Sequence, residues 1–164
     1  MDFSLFSLVN GLAGQWRSLD FTGIFFARYA IFLLPLFAFT TGRRWLATLV
    51  HCGVSAACAL TTNLLISLIV FRMRPYVDHQ ANLLIRGIDT KSFPSDHTAA
   101  AFAIALSIFF VNRTAGIIAF AVAFLIGISR VFVGVHYPLD VLGGIVTGCA
   151  SAFIMQIVMK RFGL

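Results

Sequence analysis

The chain predicts an all-α fold: a polytopic membrane bundle of about five transmembrane helices plus an N-terminal interfacial helix, six helices in total. Three observations predict it. Hydrophobic residues make up 60% of the sequence and charged ones only 11%, with a mean hydropathy of +0.95, which is far from the composition of a soluble globule. Long apolar runs alternate with short polar breaks. The six acids, all Asp, fall in or beside the breaks and never in the middle of a run.

Other bulk features agree. The 18 Phe suit a lipid-facing surface. A formal charge of +6 does not call for nucleic acid, because membrane proteins keep basic residues at the bilayer rim, and no nucleic-acid partner is expected. The length fits a single domain, residues 1–164. Cys52, Cys58 and Cys149 lie inside apolar runs without ligand spacing and read as small buried hydrophobes. The start, Met1-Asp2-Phe3-Ser4, lacks the basic segment of a cleavable signal.

Taken in order, residues 3–16 are apolar at roughly helical spacing but interrupted by Asn10, Gly11 and Gly14, which suits an interfacial helix with Trp16 at headgroup level. A first span is expected over Phe21–Thr40, with Arg28 snorkelling to the near interface or, in the functional alternative, facing the site or a lipid phosphate. Gly42-Arg43-Arg44 makes a tight basic loop, and Trp45–Phe71 a second span containing His51 and Asn63, read as bundle-facing hydrogen-bonding residues. The polar stretch from Arg72 to Phe93 is longer than a connection needs, which marks it as functional, with a short surface helix over Ala81–Ile88. Thr98–Val111 is too short to cross a bilayer core of about 30 Å, so its polar start is expected in a shielded cavity below the surface. Ala115 to Ile128 or beyond is the fourth span, ended by Ser129 and Arg130. Pro138 opens the fifth, with Asp140 in its first turn and Lys160-Arg161 at its end. Gly144 and Gly148 predict a close helix–helix contact.

Span counting puts Arg43, Arg44, Arg113, Lys160 and Arg161 on one side, without acids, and every Asp on the other. The tight basic loops are expected in the cytoplasm. Three polar clusters then share the outer face: Arg72-Met73-Arg74-Pro75, Ser92 through His97, and Ser129-Arg130 through His136 to Asp140.

Pro94-Ser95 before an apolar run predicts a helix start whose free amides, with His97 in the first turn, form an anion site. Arg74, Arg130, Ser95 and the amides of Asp96 and His97 are the expected phosphate ligands. His136 and Asp140 are four apart, so Asp140 can fix the imidazole tautomer and leave the other nitrogen to attack. His97 is then the acid/base group. No carboxylate cluster suits Mg²⁺, and neither metal nor cofactor is expected.

These motifs, Arg74-Pro75, Pro94-Ser95-Asp96-His97 and Ser129-Arg130 with His136 and Asp140 at their spacings, resemble the type 2 phosphatidic acid phosphatase superfamily. Its signatures are Lys-x6-Arg-Pro, Pro-Ser-Gly-His and Ser-Arg-x5-His-x3-Asp, and the third is complete here. The resemblance implies that His136 becomes the phosphohistidine, Asp140 orients it, His97 serves as acid/base, and Arg74, Ser95, Arg130 and the flanking Asp96 and Ser129 form the phosphate site. Two positions depart from the pattern. Ser67 stands where the first signature has Lys, with Arg72 as a substitute that could reach in, and Asp96 replaces Gly. The form Phe-Pro-Ser-Asp-His looks most like the bacterial undecaprenyl-pyrophosphate phosphatase branch. That branch recycles the cell-wall lipid carrier on the outer face of the plasma membrane and can confer bacitracin resistance. The implied partners are a polyprenyl pyrophosphate and membrane lipids. Phosphatidate, phosphatidylglycerol phosphate and lipid phosphotransfer remain open with the same site. A transporter with a path through Arg28, His51 and Asn63 would need polar residues spread across the membrane depth, whereas here they gather at one face.

Overall fold

The computed structural model describes residues 2–86 and 91–161. They form α1 (Asp2–Asn10), α2 (Arg17–Arg28), a 3-10 segment (Ala30–Arg44), α3 (Trp45–Ile69), a one-turn α4 (Pro75–Asp78), α5 (Asp96–Phe109), α6 (Arg113–Phe132) and α7 (Pro138–Arg161). By length and composition alone, Ala30–Ile69, α6 and α7 can each cross a membrane, and α5 is a shorter apolar helix. The 40-residue stretch folds back on itself at Gly42, whose φ of 63° only glycine adopts easily. Beyond the turn, α3 packs against the 3-10 segment. Thr41 meets Thr48 at 3.2 Å across it, and Phe39 stacks on Trp45. The chain thus makes five passes: α2 with the 3-10 segment, α3, α5, α6 and α7.

Three expectations need correcting. The first span is not one α-helix: it changes to 3-10 geometry after Arg28 and carries Pro35, which has no amide to donate. Helix α6 runs past Ser129 and Arg130 to Phe132. Ala81–Arg86 is not helical, because its backbone is engaged elsewhere. The Asn10 carboxamide accepts from the Asn82 N–H at 2.8 Å and donates to its carbonyl at 3.0 Å, and the Leu84 N–H donates to Val133. The remainder of that expected helix, Gly87 and Ile88, lies outside the described residues, as does Asp89.

Helix α5 is the hub. Alanines at 99, 100, 101, 103 and 105 leave it buried on nearly every side, as a central helix without a polar face must be. It packs against α3, α6, α7 and the 3-10 segment. The Gly144/Gly148 expectation holds: a Cβ at Gly148 would lie 2.3 Å from the Ala99 carbonyl oxygen, and one at Gly144 would lie 2.6 Å from that of Ser95. This close approach of α7 to α5 brings the amino ends of the two helices side by side. Outward, α2, α3 and α7 show Phe21, Leu68, Ile69 and Val146 to the surroundings, as lipid contact requires.

Candidate active site

At that shared end lies a cavity of about 340 Å³ lined by Arg28, Arg74, Ile85, Arg86, Lys91, Pro94, Asp96, His97, Arg130, Val135 and His136. Among the described residues, five cationic side chains face it against one carboxylate. Arg74 ends the link from α3 and is fixed by a 3.1 Å bond from its guanidinium to the Val135 carbonyl. That leaves the same nitrogen 3.5 Å from His136 Nε2. Arg130, buried in the last turn of α6, donates to the Ala27 carbonyl at 2.9 Å. Its buried Nε has no acceptor among the described residues.

His136 sits in the loop between α6 and α7 and is 3% exposed. Its Nδ1 lies 3.6 Å from an Asp140 oxygen, the i,i+4 partner expected from the sequence. The separation exceeds hydrogen-bond length, as catalytic contacts without substrate often do. Asp140 is fully buried and accepts three other hydrogen bonds. One oxygen accepts from Arg72 at 3.0 Å, and the other accepts from the Ser92 hydroxyl and from the Tyr137 N–H at 2.8 Å. Burial drives the His136 pKa down, and Asp140 only partly opposes that. The Arg130 and Arg74 charges lower it further, to about 4. The ring is therefore neutral near pH 7, with Nε2 turned toward the cationic wall.

The structure brings His136, His97, Arg74, Arg130 and Asp96 to one cavity, with Asp140 immediately behind. It does not put Ser95 or Ser129 in the lining. Ser95 occupies the N-cap position of α5 but makes no side-chain cap bond. Its hydroxyl accepts from Thr98 at 3.0 Å, and its N–H donates to the Asp140 carbonyl at 3.0 Å. Ser129 is buried within α6. Asp96 accepts a 2.9 Å hydrogen bond from Asn63, the buried polar residue of α3. That bond turns part of the carboxylate away from the cavity's cations.

Arg72 does not reach in for the missing Lys. Its guanidinium bridges Asp140 and Asp2 and lies 4.0 Å over the Tyr137 ring. Burial disfavours its charge, but Asp2 and Asp140 outweigh that and hold the pKa above the usual arginine value. The additional cations are instead Lys91 and Arg86, from the long polar stretch, and Arg28. Arg28, exposed at the end of α2, lines the cavity. Ser92 opens the second polar cluster of the sequence but had no role assigned there, and Asp2 belongs to no motif. Among the described residues, no group of three His, Cys or Asp side chains is disposed to hold a metal ion.

The comparisons with known proteins are consistent with this arrangement. Residues 47–163 match the PAP2 superfamily. An undecaprenyl-diphosphatase of Bacillus subtilis, BcrC, is 35% identical over 161 residues, covering 94% of this chain and 82% of that protein. YbjG of Escherichia coli, provisionally given the same activity, is 30% identical over 168 residues, 99% of this chain and 85% of that one. The crystal structure of Aquifex aeolicus LpxE superposes with a TM-score of 0.79 at 29% identity, covering 94% of each chain.

Proposed function

The chain belongs to the PAP2 superfamily of membrane phosphatases, and from that premise we propose that it hydrolyses undecaprenyl pyrophosphate to undecaprenyl phosphate and inorganic phosphate through a phosphohistidine on His136. The observation that carries the reading is a buried imidazole aimed at a wall of five cations, counted among the described residues, and backed by a fully buried carboxylate.

Arg74 and Arg130 flank His136 and hold the terminal phosphoryl group, whose loose transition state is stabilised by position and charge. His136 Nε2 attacks phosphorus in line, and the bond to the bridging oxygen breaks. The bound pyrophosphate, an anion among these cations, favours the protonated form of His97, which gives its proton to the departing lipid monophosphate. His97 then removes a proton from water, whose oxygen attacks phosphorus as the P–N bond breaks, releasing phosphate and restoring both histidines. Throughout, Asp140 holds the Nδ1–H, which stabilises the ring as it becomes cationic.

The number of cations favours a diphosphate. Two arginines are enough for one phosphoryl group, and Arg28, Arg86 and Lys91 remain for a second. The relatives' names point the same way. The active site then faces outward across the bacterial plasma membrane, with the acid-free basic loops inside.

Phosphate release by detergent-purified protein in excess chelator tests this, with undecaprenyl pyrophosphate compared against phosphatidate and phosphatidylglycerol phosphate. The pyrophosphate is expected to turn over fastest. Arg86→Gln combined with Lys91→Gln should lower its kcat/KM by about 10²–10⁴-fold, since two charged hydrogen bonds are lost, and change phosphatidate turnover far less. A preference for either monophosphate lipid in the wild-type protein would overturn the substrate assignment.

A further inference from the structure

The carboxylate that backs His136 does not face the ring with its full charge, because Arg72 lies 3.0 Å from one of its oxygens. Asp140 is fully buried and Arg72 largely so, which leaves the pair little screened by salt. Taken alone, that pair is neutral, while the lining cations stand in front of the imidazole. Such a setting disfavours a ring that becomes cationic as it takes the phosphoryl group.

Asp2 changes the balance. From the first turn of α1, its Oδ2 pairs with the other terminal nitrogen of the Arg72 guanidinium. Its Oδ1 accepts from the Leu139 N–H at 3.1 Å. Leu139 is the second residue of α7, and Pro138 before it has no N–H to offer. Asp2 therefore caps α7 from a distant segment, at the end where the helix dipole favours an anion. Its side chain is only 15% exposed. The rest of α1 is docked to hold it there. Phe6 packs on Tyr137 with ring centroids 5.5 Å apart, and Asn10 donates to the Phe132 carbonyl at 2.8 Å.

We propose that Asp2 is a positioning residue for the phosphatase reaction, acting through Arg72 and the first turn of α7. It cancels the charge of Arg72, so that Asp2, Arg72 and Asp140 together keep one net negative charge behind His136. It also fixes the turn that carries Asp140. This role rests on the phosphohistidine reading above. Asp2 does not line the catalytic cavity, so its loss falls on the chemical step and leaves the arginines that hold phosphate in place.

Steady-state and rapid-quench kinetics with undecaprenyl pyrophosphate in detergent test the role. Asp2→Asn keeps the size of the side chain and an oxygen for Leu139 but loses the charge. It should lower kcat and the rate of phosphoenzyme formation about tenfold, as for members of one ion-pair network, with KM within about twofold of wild type. Asp2→Glu should recover most of that loss. Asp78→Asn, which removes another nearby carboxylate, exposed at the end of α4, should change kcat less than about twofold. In an Arg72→Met background, adding Asp2→Asn should cost less than about twofold, because the guanidinium through which Asp2 acts is gone. If Asp2→Asn does not fold, Asp2→Ser, whose hydroxyl can still accept from Leu139, carries the same comparison. Wild-type kcat in Asp2→Asn, an equal loss in Asp78→Asn, or the full loss persisting in Arg72→Met would overturn the role of Asp2 and leave the phosphatase reading intact. No phosphate release by the wild-type protein would overturn both.

Discussion

Behind His136, the Asp140 carboxylate is fixed by Arg72 on one oxygen and by Ser92 and the Tyr137 amide on the other. This arrangement has consequences for single substitutions. Asp140→Asn should lower kcat by about 10²–10⁴, because the tautomer that exposes Nε2 is no longer enforced. Ser92→Ala removes one hydrogen bond to a buried charge, worth about 1.5–3 kcal/mol, and should lower kcat more than it changes KM. The pH dependence follows from the lowered His136 pKa of about 4. Protonation would disable the nucleophile, so its contribution to the acid limb of kcat/KM should lie near that value and not near 6.5. Arg130→Gln removes one of the repelling charges and should move the limb to higher pH. The stability effect has the same sign. Between the usual imidazole value and about 4, the unfolded chain binds a proton that the folded chain does not, so this group makes stability fall as pH drops through that window. At this scale, the motif residues His97, His136, Asp140, Arg74 and Arg130 were legible in the sequence because their spacings are local. The bond of Ser92 to Asp140, the part played by Asp2 and the bridging role of Arg72 were not, since they depend on chain segments as far apart as residues 2, 72 and 140 meeting in space.

Among the elements, the contact of α7 with α5 sets the site, and Gly148 is its closest point. Gly148→Ala should destabilise the fold by about 1–3 kcal/mol, since the new Cβ would meet the rigid Ala99 carbonyl. Gly53→Ala is the control: it lies in the same kind of helix with open space around it and should be neutral or gain up to about 1 kcal/mol. Thermal unfolding of the two variants in one detergent checks both. Helices α3, α5 and α7 could be read from their apolar runs, because lipid imposes continuous hydropathy on a span. The 3-10 geometry after Arg28 could not be read. Hydropathy is the same for either helix type, and Pro35 alone does not distinguish them. The non-helical path of Ala81–Arg86 was hidden for another reason: Asn10, more than 70 residues away, takes the Asn82 backbone groups.

Across the whole molecule, charge is divided between two ends of an apolar bundle. The Asn112 carboxamide bonds to the Thr40 carbonyl, which confirms that the basic loops after residues 40 and 112 share one end. The catalytic cavity occupies the other. This division made the membrane class and the shared face of the three motifs readable from the sequence alone. The lining cations Arg28, Arg86 and Lys91 became visible only when the passes were assembled. The central claim is that the phosphoryl group passes through His136. It is tested most directly by rapid quench of the protein with undecaprenyl pyrophosphate labelled with ³²P in its terminal phosphate. The account predicts a protein-bound label, labile in acid and stable in alkali as a P–N bond is, present in the wild type, enriched in His97→Ala and absent from His136→Ala. A label on any other residue, or full turnover by His136→Ala, would contradict it.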